Sequence, residues 1–149
     1  MSSPSVEAAH PTDAVAIARI EAEAASTRWS MTAVADTLAV DTTHAWIARA
    51  NGGVVGHLLT RVAASTAEVL TIAVLADFRR GGLASSMLRR SEEAWKRAGV
   101  LEGFLEVRAS NSGARALYRQ HRWEQVGARK GYYADGEDAV VMRWEPTCG

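Results

Sequence analysis

The chain has almost no cysteine. Its one thiol, Cys148, stands one residue from the end of a 149-residue sequence, so no internal disulfide can form, and this usage suits a reducing, cytoplasmic compartment. It has no net charge: 17 basic side chains offset 17 acidic ones, which argues against a protein built to seek nucleic acid. No apolar run approaches the roughly 20 residues that span a bilayer. The first residues, Met1 to Ser5, lack a basic stretch leading into an apolar one, so neither a membrane span nor a secretory signal is predicted. There is no internal repeat, low-complexity tract or domain linker. His10, His44, His57 and His121 show no metal-ligand spacing and read as structural or surface residues, so no metal is expected. The five tryptophans are scattered rather than set in a stacking stripe, which assigns them to core and cleft walls. What remains is an ordinary globular composition, 48% hydrophobic and 23% charged, that suits one domain over residues 1–149 with one core.

The chain is organised around residues 67–84. An apolar run of strand length, Val69 to Leu75, breaks at Asp77, turns through Arg79, Arg80, Gly81 and Gly82, and opens a helix. Leu83, Met87, Leu88, Ala94, Trp95 and Ala98 follow a 3.6-residue period that predicts one buried face, with Gly99 as the stop. Phe104 to Val107 reads as the next strand, and strands joined through a helix usually run parallel. The turn itself reads as an anion site. A helix N-terminus offers unpaired N–H groups and partial positive charge, the glycines permit close approach, and two arginines add permanent charge.

Elsewhere the pattern predicts a frayed tail over 1–5, a short strand from Val6 to Ala9, and a helix capped by Thr12 or Asp13 with Ala16, Ile17, Ile20 and Ala24 on one face. Ser30 is a cap candidate for a second helix over Thr32 to Leu38. His44 to Ala50 and Val54 to Val62 read as strands around an Asn51-Gly52-Gly53 turn, and with the central strand they form an antiparallel meander. Ser110 or Asn111 caps a helix carrying Ala114, Leu117, Tyr118 and His121. Trp123 to Lys130 and Asp138 to Trp144 form a closing hairpin around the Gly131–Gly136 loop.

These residues resemble a known family. Arg79-Arg80-Gly81-Gly82-Leu83-Ala84 matches the Gln/Arg-x-x-Gly-x-Gly/Ala pyrophosphate signature of the GNAT N-acetyltransferase superfamily, in the right place between strand and helix. Thr71-Ile-Ala-Val74, Leu105-Glu-Val-Arg-Ala-Ser-Asn111, Ala116-Leu-Tyr118, Gly131-Tyr-Tyr133, Glu137-Asp-Ala139 and Met142 are similar to its RimI-like branch, the ribosomal-protein alanine N-acetyltransferases. The resemblance covers residues 67–144; the first 65 residues follow only the general plan, apart from Arg28-Trp29-Ser30. Three positions depart from the branch: Leu75-Ala76 replaces Asp-Pro, Ala84 replaces the final glycine, and Arg122-Trp123 replaces Gly-Phe.

The resemblance implies a single α/β domain with a bent, mixed and mostly antiparallel sheet, and acetyl-CoA as co-substrate. Ile72 and Val74, with Ala73 between them, would pair with the pantetheine arm. Arg79 and the amides of Arg80, Gly81, Gly82, Leu83 and Ala84, with Ser85 beside them, would hold the pyrophosphate. Asn111 would lie beside the pantetheine. Glu106 is the implied base and Tyr118 the implied acid toward the departing thiolate, both facing one cleft; Tyr118 also counts as cofactor-binding. Trp29, Glu106, Tyr132 and Tyr133 would line the acceptor side. An α-amine ionises near pH 8 and lysine near 10.4, a difference of about 3.4 kcal/mol in favour of the free α-amine at neutral pH.

The expected acceptor is therefore the N-terminal amine of a protein, an alanine-starting ribosomal protein above all. The expected state is a monomer or weak dimer, without nucleic-acid or membrane partners. A small amine (amino acid, polyamine or aminoglycoside) is the alternative acceptor. A non-catalytic acyl-CoA sensor is the rival class, against which Glu106 and Tyr118 together argue.

Overall fold

A computed structural model describes residues 4–24 and 29–147. The first three residues, Arg28 of the Arg-Trp-Ser motif and Cys148 lie outside them, as does the burial of Ala24.

Among the described residues, seven strands form one sheet in the order β1-β2-β3-β4-β5-β7-β6. They are β1 (Ser5–Ala8), β2 (Thr43–Ala50), β3 (Gly53–Ala63), β4 (Thr66–Val74), β5 (Glu102–Arg108), β6 (Glu124–Arg129) and β7 (Ala139–Trp144). Every neighbouring pair is antiparallel except β4 and β5. The meander β2–β4 and the parallel step through a helix are as the sequence predicts. The β2–β3 turn has positive φ at both Asn51 (53°) and Gly52 (81°), the geometry that matches strand twist in a two-residue hairpin. The closing hairpin also forms, but β7 slots between β5 and β6.

Among the described residues, four α-helices cover the faces: α1 (Ala14–Ala24), α2 (Met31–Leu38), α3 (Leu83–Arg97) and α4 (Ser112–Gln120). The strands alternate between two cores. Ile47 and Leu59 join Ile17 of α1 and Val34 of α2 on one face. Ala48 and Leu58 join Met87, Leu88 and Trp95 of α3 and Tyr118 of α4 on the other. Behind β5, Trp95 meets Trp123 and Trp144 edge-on at 6.1 and 5.3 Å, and those two lie tilted against each other at 6.4 Å. Gly103 makes room for them: a Cβ there would sit 3.3 Å from Trp123 and 3.4 Å from Trp95.

Three local expectations need correction. The start of α1 is capped by neither Thr12 nor Asp13. A single 3-10 turn, Pro11–Asp13, leads in, and the Asp13 carboxylate reaches back to accept the His10 N–H at 2.8 Å. The buried face of α3 excludes Ala98, which caps the helix in solvent, and Ala94 is only half-buried; it includes Ser91 and Glu92 instead. Glu92 is tolerated because its Oε2 accepts the Trp123 indole N–H at 3.0 Å. Strand β6 begins at Glu124 because Trp123 turns inward to the core. Ser30 does cap α2, its hydroxyl accepting Ala33 N–H at 3.0 Å.

Candidate active site

The parallel ladder between β4 and β5 is only three rungs long, Thr66 with Glu102, Ala67 with Gly103 and Glu68 with Phe104. Beyond it β5 stays bonded to β7 through Arg108 opposite Ala139, while β4 stays bonded to β3 through Val74 opposite Gly56. The two strands part, leaving a gap. A bulge starts the divergence: Leu59 faces Thr71 and Thr60 faces Val69, so Leu70 is an extra residue on β4. Bulges bend a strand and re-aim its later residues. Leu75 N–H bonds back to Val55 O of β3 at 2.8 Å. Successive residues of a strand turn their amides to opposite edges, so the backbone groups of Ile72 and Val74 point into the gap and those of Ala73 toward β3.

At the top of the gap sits the start of α3. Its N-cap is Gly82, at φ 76°, with no side-chain cap and no acidic residue in the first turn. The first bond of the helix is Ser86 N–H to Gly82 O at 2.9 Å, so the amides of Leu83, Ala84 and Ser85 have no partner within the helix. Nothing lies within 4 Å of where a Gly82 Cβ would stand. Arg80 is held at φ 72°, a left-handed conformation costing about 1–2 kcal/mol for a residue with a Cβ. Uncapped amides and an open approach fit an anionic group here. Arg79 behaves differently from expectation: its Nε donates to Val74 O at 2.9 Å, tying the turn to the strand rather than leaving the whole guanidinium for a ligand.

Glu106 and Tyr118 do not share a face. Leu105 and Val107 of β5 pack in the α3–α4 core, so Glu106 between them faces the α1–α2 side, with 21% of its side chain exposed and Arg129 Nε 3.2 Å from its carboxylate. Tyr118 is buried to 4%, tilted against Trp123 at 5.9 Å. Desolvation, and then proximity to Tyr133, push its phenol well above the ordinary tyrosine range. Tyr133 in turn is raised mainly by burial, with Arg108 opposing and Glu106 and Tyr132 contributing. Its ring therefore lies in electrostatic reach of both Glu106 and Tyr118.

The loop that presents Tyr133 is pinned by Arg108. The side chain of Arg108 is 15% exposed, with Asp135 at 2.8 Å and Glu137 at 2.9 Å, and its guanidinium lies 4.1 Å from the Tyr133 ring centre. Glu137 also accepts Ser110 N–H at 2.8 Å. Asp135 lies below the ordinary carboxylate range, chiefly through the Glu137 N–H and then Arg108; Glu137 does so through Ser110 and then Arg108. Tyr132 meets Tyr133 edge-on at 5.1 Å and carries Arg129 at 5.8 Å. Asn111 is the N-cap of α4, its Oδ1 accepting Ala114 N–H at 3.1 Å. Trp29 packs on the α1–α2 core, the same face as Glu106.

Sequence reasoning passed over Arg108 and Arg129. Arg108 stands inside the Leu105–Asn111 motif, and three acids at 135, 137 and 138 come after the tyrosine pair; that charge match was the available signal. It also passed over a second polar cluster, Ser85 Oγ 2.7 Å from His121 Nε2 and His121 Nδ1 3.4 Å from Glu92. Buried Glu21, which accepts the Thr71 hydroxyl at 2.9 Å and lies 3.2 Å from His57, carried no sequence signal at all. At Arg122, where the branch has glycine, φ is 68°, so the substitution keeps a conformation that glycine adopts without strain.

Residues 14–122 match the Acetyltransferase (GNAT) family. An N-alpha-acetyltransferase of Saccharolobus solfataricus is 36% identical over 110 residues, covering 65% of this chain and 66% of that protein, just under two thirds of its length. The [ribosomal protein bS18]-alanine N-acetyltransferase of Escherichia coli is 37% identical over 95 residues, covering 62% of this chain and 64% of that one. The crystal structure of the ribosomal-protein-S18-alanine N-acetyltransferase from Escherichia coli superposes with a TM-score of 0.90 and 29% identity, covering 99% of this chain and 96% of that chain.

Proposed function

The chain belongs to the GNAT acetyltransferase family, and from that premise we propose that it transfers acetyl from acetyl-CoA to the N-terminal α-amine of a protein. The carrying observation is the three-rung β4–β5 ladder, beyond which the strands part between Glu106 on one face and Tyr118 on the other. When bound, acetyl-CoA supplies the activated acetyl group. Ile72 and Val74 would hold its pantetheine by backbone bonds, and the amides of Leu83 to Ser85 its pyrophosphate.

The chain's own residues then manage protons. Glu106, directly or through water, takes the proton that the amine must lose. The amine nitrogen bonds to the thioester carbon, the carbon–sulfur bond breaks, and Tyr118 gives its proton to the sulfur. Burial raises this phenol, so it stays protonated at neutral pH and would give up its proton only as charge develops on the departing sulfur. The Val74 N–H would polarise the carbonyl oxygen. Glu106 and Trp29 share one face while α3 crowns the other, so the acceptor enters from the α1–α2 side and the acyl donor from the α3–α4 side.

The relatives' names favour a protein N-terminus, and the bS18-alanine enzymes favour an alanine-starting ribosomal protein. The pinned Tyr132–Tyr133 wall suits a peptide laid across it. The test is thiol release from acetyl-CoA on short peptides with free and blocked N-termini, with mass spectrometry of the product. Acetylation of the free alanine terminus is expected. Modification of lysine in the blocked peptide, or of small amines only, would replace this reading.

A further inference from the structure

We propose that Ser85, His121 and Glu92 form a proton-coupled latch, in which protonation of His121 turns the Ser85 hydroxyl toward the cofactor's pyrophosphate. The inference rests on reading the Arg79–Ala84 turn as the pyrophosphate site and adds residues that the signature does not contain.

The cluster joins the two helices that flank the donor side. Ser85 is the third residue of α3, and side chains on a helix lean toward its N-terminus, so its hydroxyl sits beside the uncapped amides. Its Oγ is 2.7 Å from Nε2 of His121, the residue that closes α4. Nδ1 of the same ring is 3.4 Å from Glu92 Oε1. The other oxygen of Glu92 is fixed by the Trp123 indole N–H at 3.0 Å. The carboxylate therefore accepts from both, and it keeps a proton on Nδ1.

A serine hydroxyl has one hydrogen to give. With the ring neutral, Nε2 is the acceptor, and Ser85 spends its hydrogen there. Only lone pairs then face the α3 N-terminus, which is the wrong polarity for a phosphate. With a second proton on the ring, Nε2–H donates to Oγ instead. The hydroxyl hydrogen is released toward the cleft, and a positive charge stands one hydrogen bond behind it. An anion at the α3 N-terminus thus binds the protonated form better, and by linkage its binding draws a proton onto the ring.

The proton has a route. A cavity of about 370 Å³ reaches the far side of the cluster and is lined by Glu92, Lys96, His121, Arg122 and Thr147 among others. Glu92 and Lys96 from α3 and Arg122 after α4 are the ionisable groups facing His121 there; Gln120 of α4, Trp144 at the end of β7 and Thr147 complete the wall without charge. Lys96 is turned toward Thr147, with Nζ 3.3 Å from its hydroxyl.

The experiment is calorimetric titration of the full chain with CoA in two buffers of different protonation enthalpy, between about pH 5 and 8, where imidazoles change charge. The unaltered protein is expected to take up a fraction of a proton per CoA bound, and its affinity to fall about 5–10-fold as the pH rises across that range. His121→Gln, whose amide still bonds Ser85 without titrating, is expected to lose that uptake and to bind with a flat pH profile. Ionisation of CoA itself is common to both proteins and cancels in the comparison. Equal proton uptake in protein and variant overturns the latch. Should His121→Gln fail to fold by thermal melt, Ser85→Ala takes its place: it is expected to bind CoA about 5-fold more weakly at the acid end, and unchanged affinity there overturns the proposal. No CoA binding by the unaltered protein overturns the pyrophosphate reading and the latch with it.

Discussion

Glu106 and Tyr118 stand on opposite faces of the same sheet and can meet a common ligand only through the gap where β4 leaves β5. This division separates their failures. Tyr118→Phe keeps the ring that packs on Trp123 and removes only the hydroxyl. The expected result is a kcat lower by about 10²-fold or more, an unchanged KM for acetyl-CoA and an unchanged melting temperature. Stopped-flow thiol release reads the rate. Retention of the full rate would reassign the acid. Because burial raises this phenol, the unaltered protein is expected to show no loss of rate through tyrosine ionisation near pH 10.

Glu106→Gln is expected to lower kcat by a similar ~10²-fold while CoA affinity, measured by titration, stays the same. Arg129, 3.2 Å away on a largely exposed side chain, contributes little to stability as a surface pair. Arg129→Gln is therefore expected to leave the melting temperature in place and to change KM for peptide by only a few fold. A kcat collapse in Arg129→Gln matching that of Glu106→Gln would mean that the pair acts as one unit.

The Gly131–Gly136 loop is expected to loosen in acid. Asp135 and Glu137 are held below their ordinary values, so the order they lend is present above about pH 4 and is lost as the pH falls through their lowered values. Protection factors of the loop amides, taken against the intrinsic exchange rate at each pH, should fall on that side only. Arg108→Met removes one common cause of both shifts, and exchange in this variant should be fast already at neutral pH, with KM for peptide raised more than KM for acetyl-CoA.

Glu21 and His57 are both fully buried at 3.2 Å, and Thr71 gives its hydroxyl to the same carboxylate. Glu21→Ala leaves the fully buried His57 and the half-buried Thr71 without that partner. Leaving a buried polar group without its partner costs about 1–3 kcal/mol, which for a chain of this size lowers the melting temperature by roughly 2–12 °C. Calorimetry checks this, and a shift below 2 °C or so would mean that the cluster is not a structural anchor.

Local chemistry made much of the molecule legible. Asn51-Gly52 and the Arg79–Ala84 turn declare their backbone conformations, and Asn111 and Ser30 their caps, because each depends on neighbours within four residues. What was hidden depends on distant partners. Glu92 looks like a surface acid until Trp123, 31 residues on, supplies an indole N–H. Glu106 and Tyr118 seem free to share a face until Leu105 and Val107 fix which side of β5 is core. The place of β7 between β5 and β6 is a choice among pairings that strand propensity does not distinguish.

Gly56 pairs with Val74 at the tip of β4, and a Cβ there would come within 3.1 Å of both Ala73 O and a Val74 methyl. The strand that borders the gap is thus clamped along one edge and, past Glu68, unpaired by any strand along the other, where only Arg79 reaches Val74 O. A sheet left one strand short is an unfinished fold, and a ligand that lies along the unpaired edge finishes it. CoA should then behave as an added strand of the protein: at 100 times its dissociation constant it adds about 2.7 kcal/mol to global stability, and the amides of Ile72 and Val74 gain the most protection from exchange.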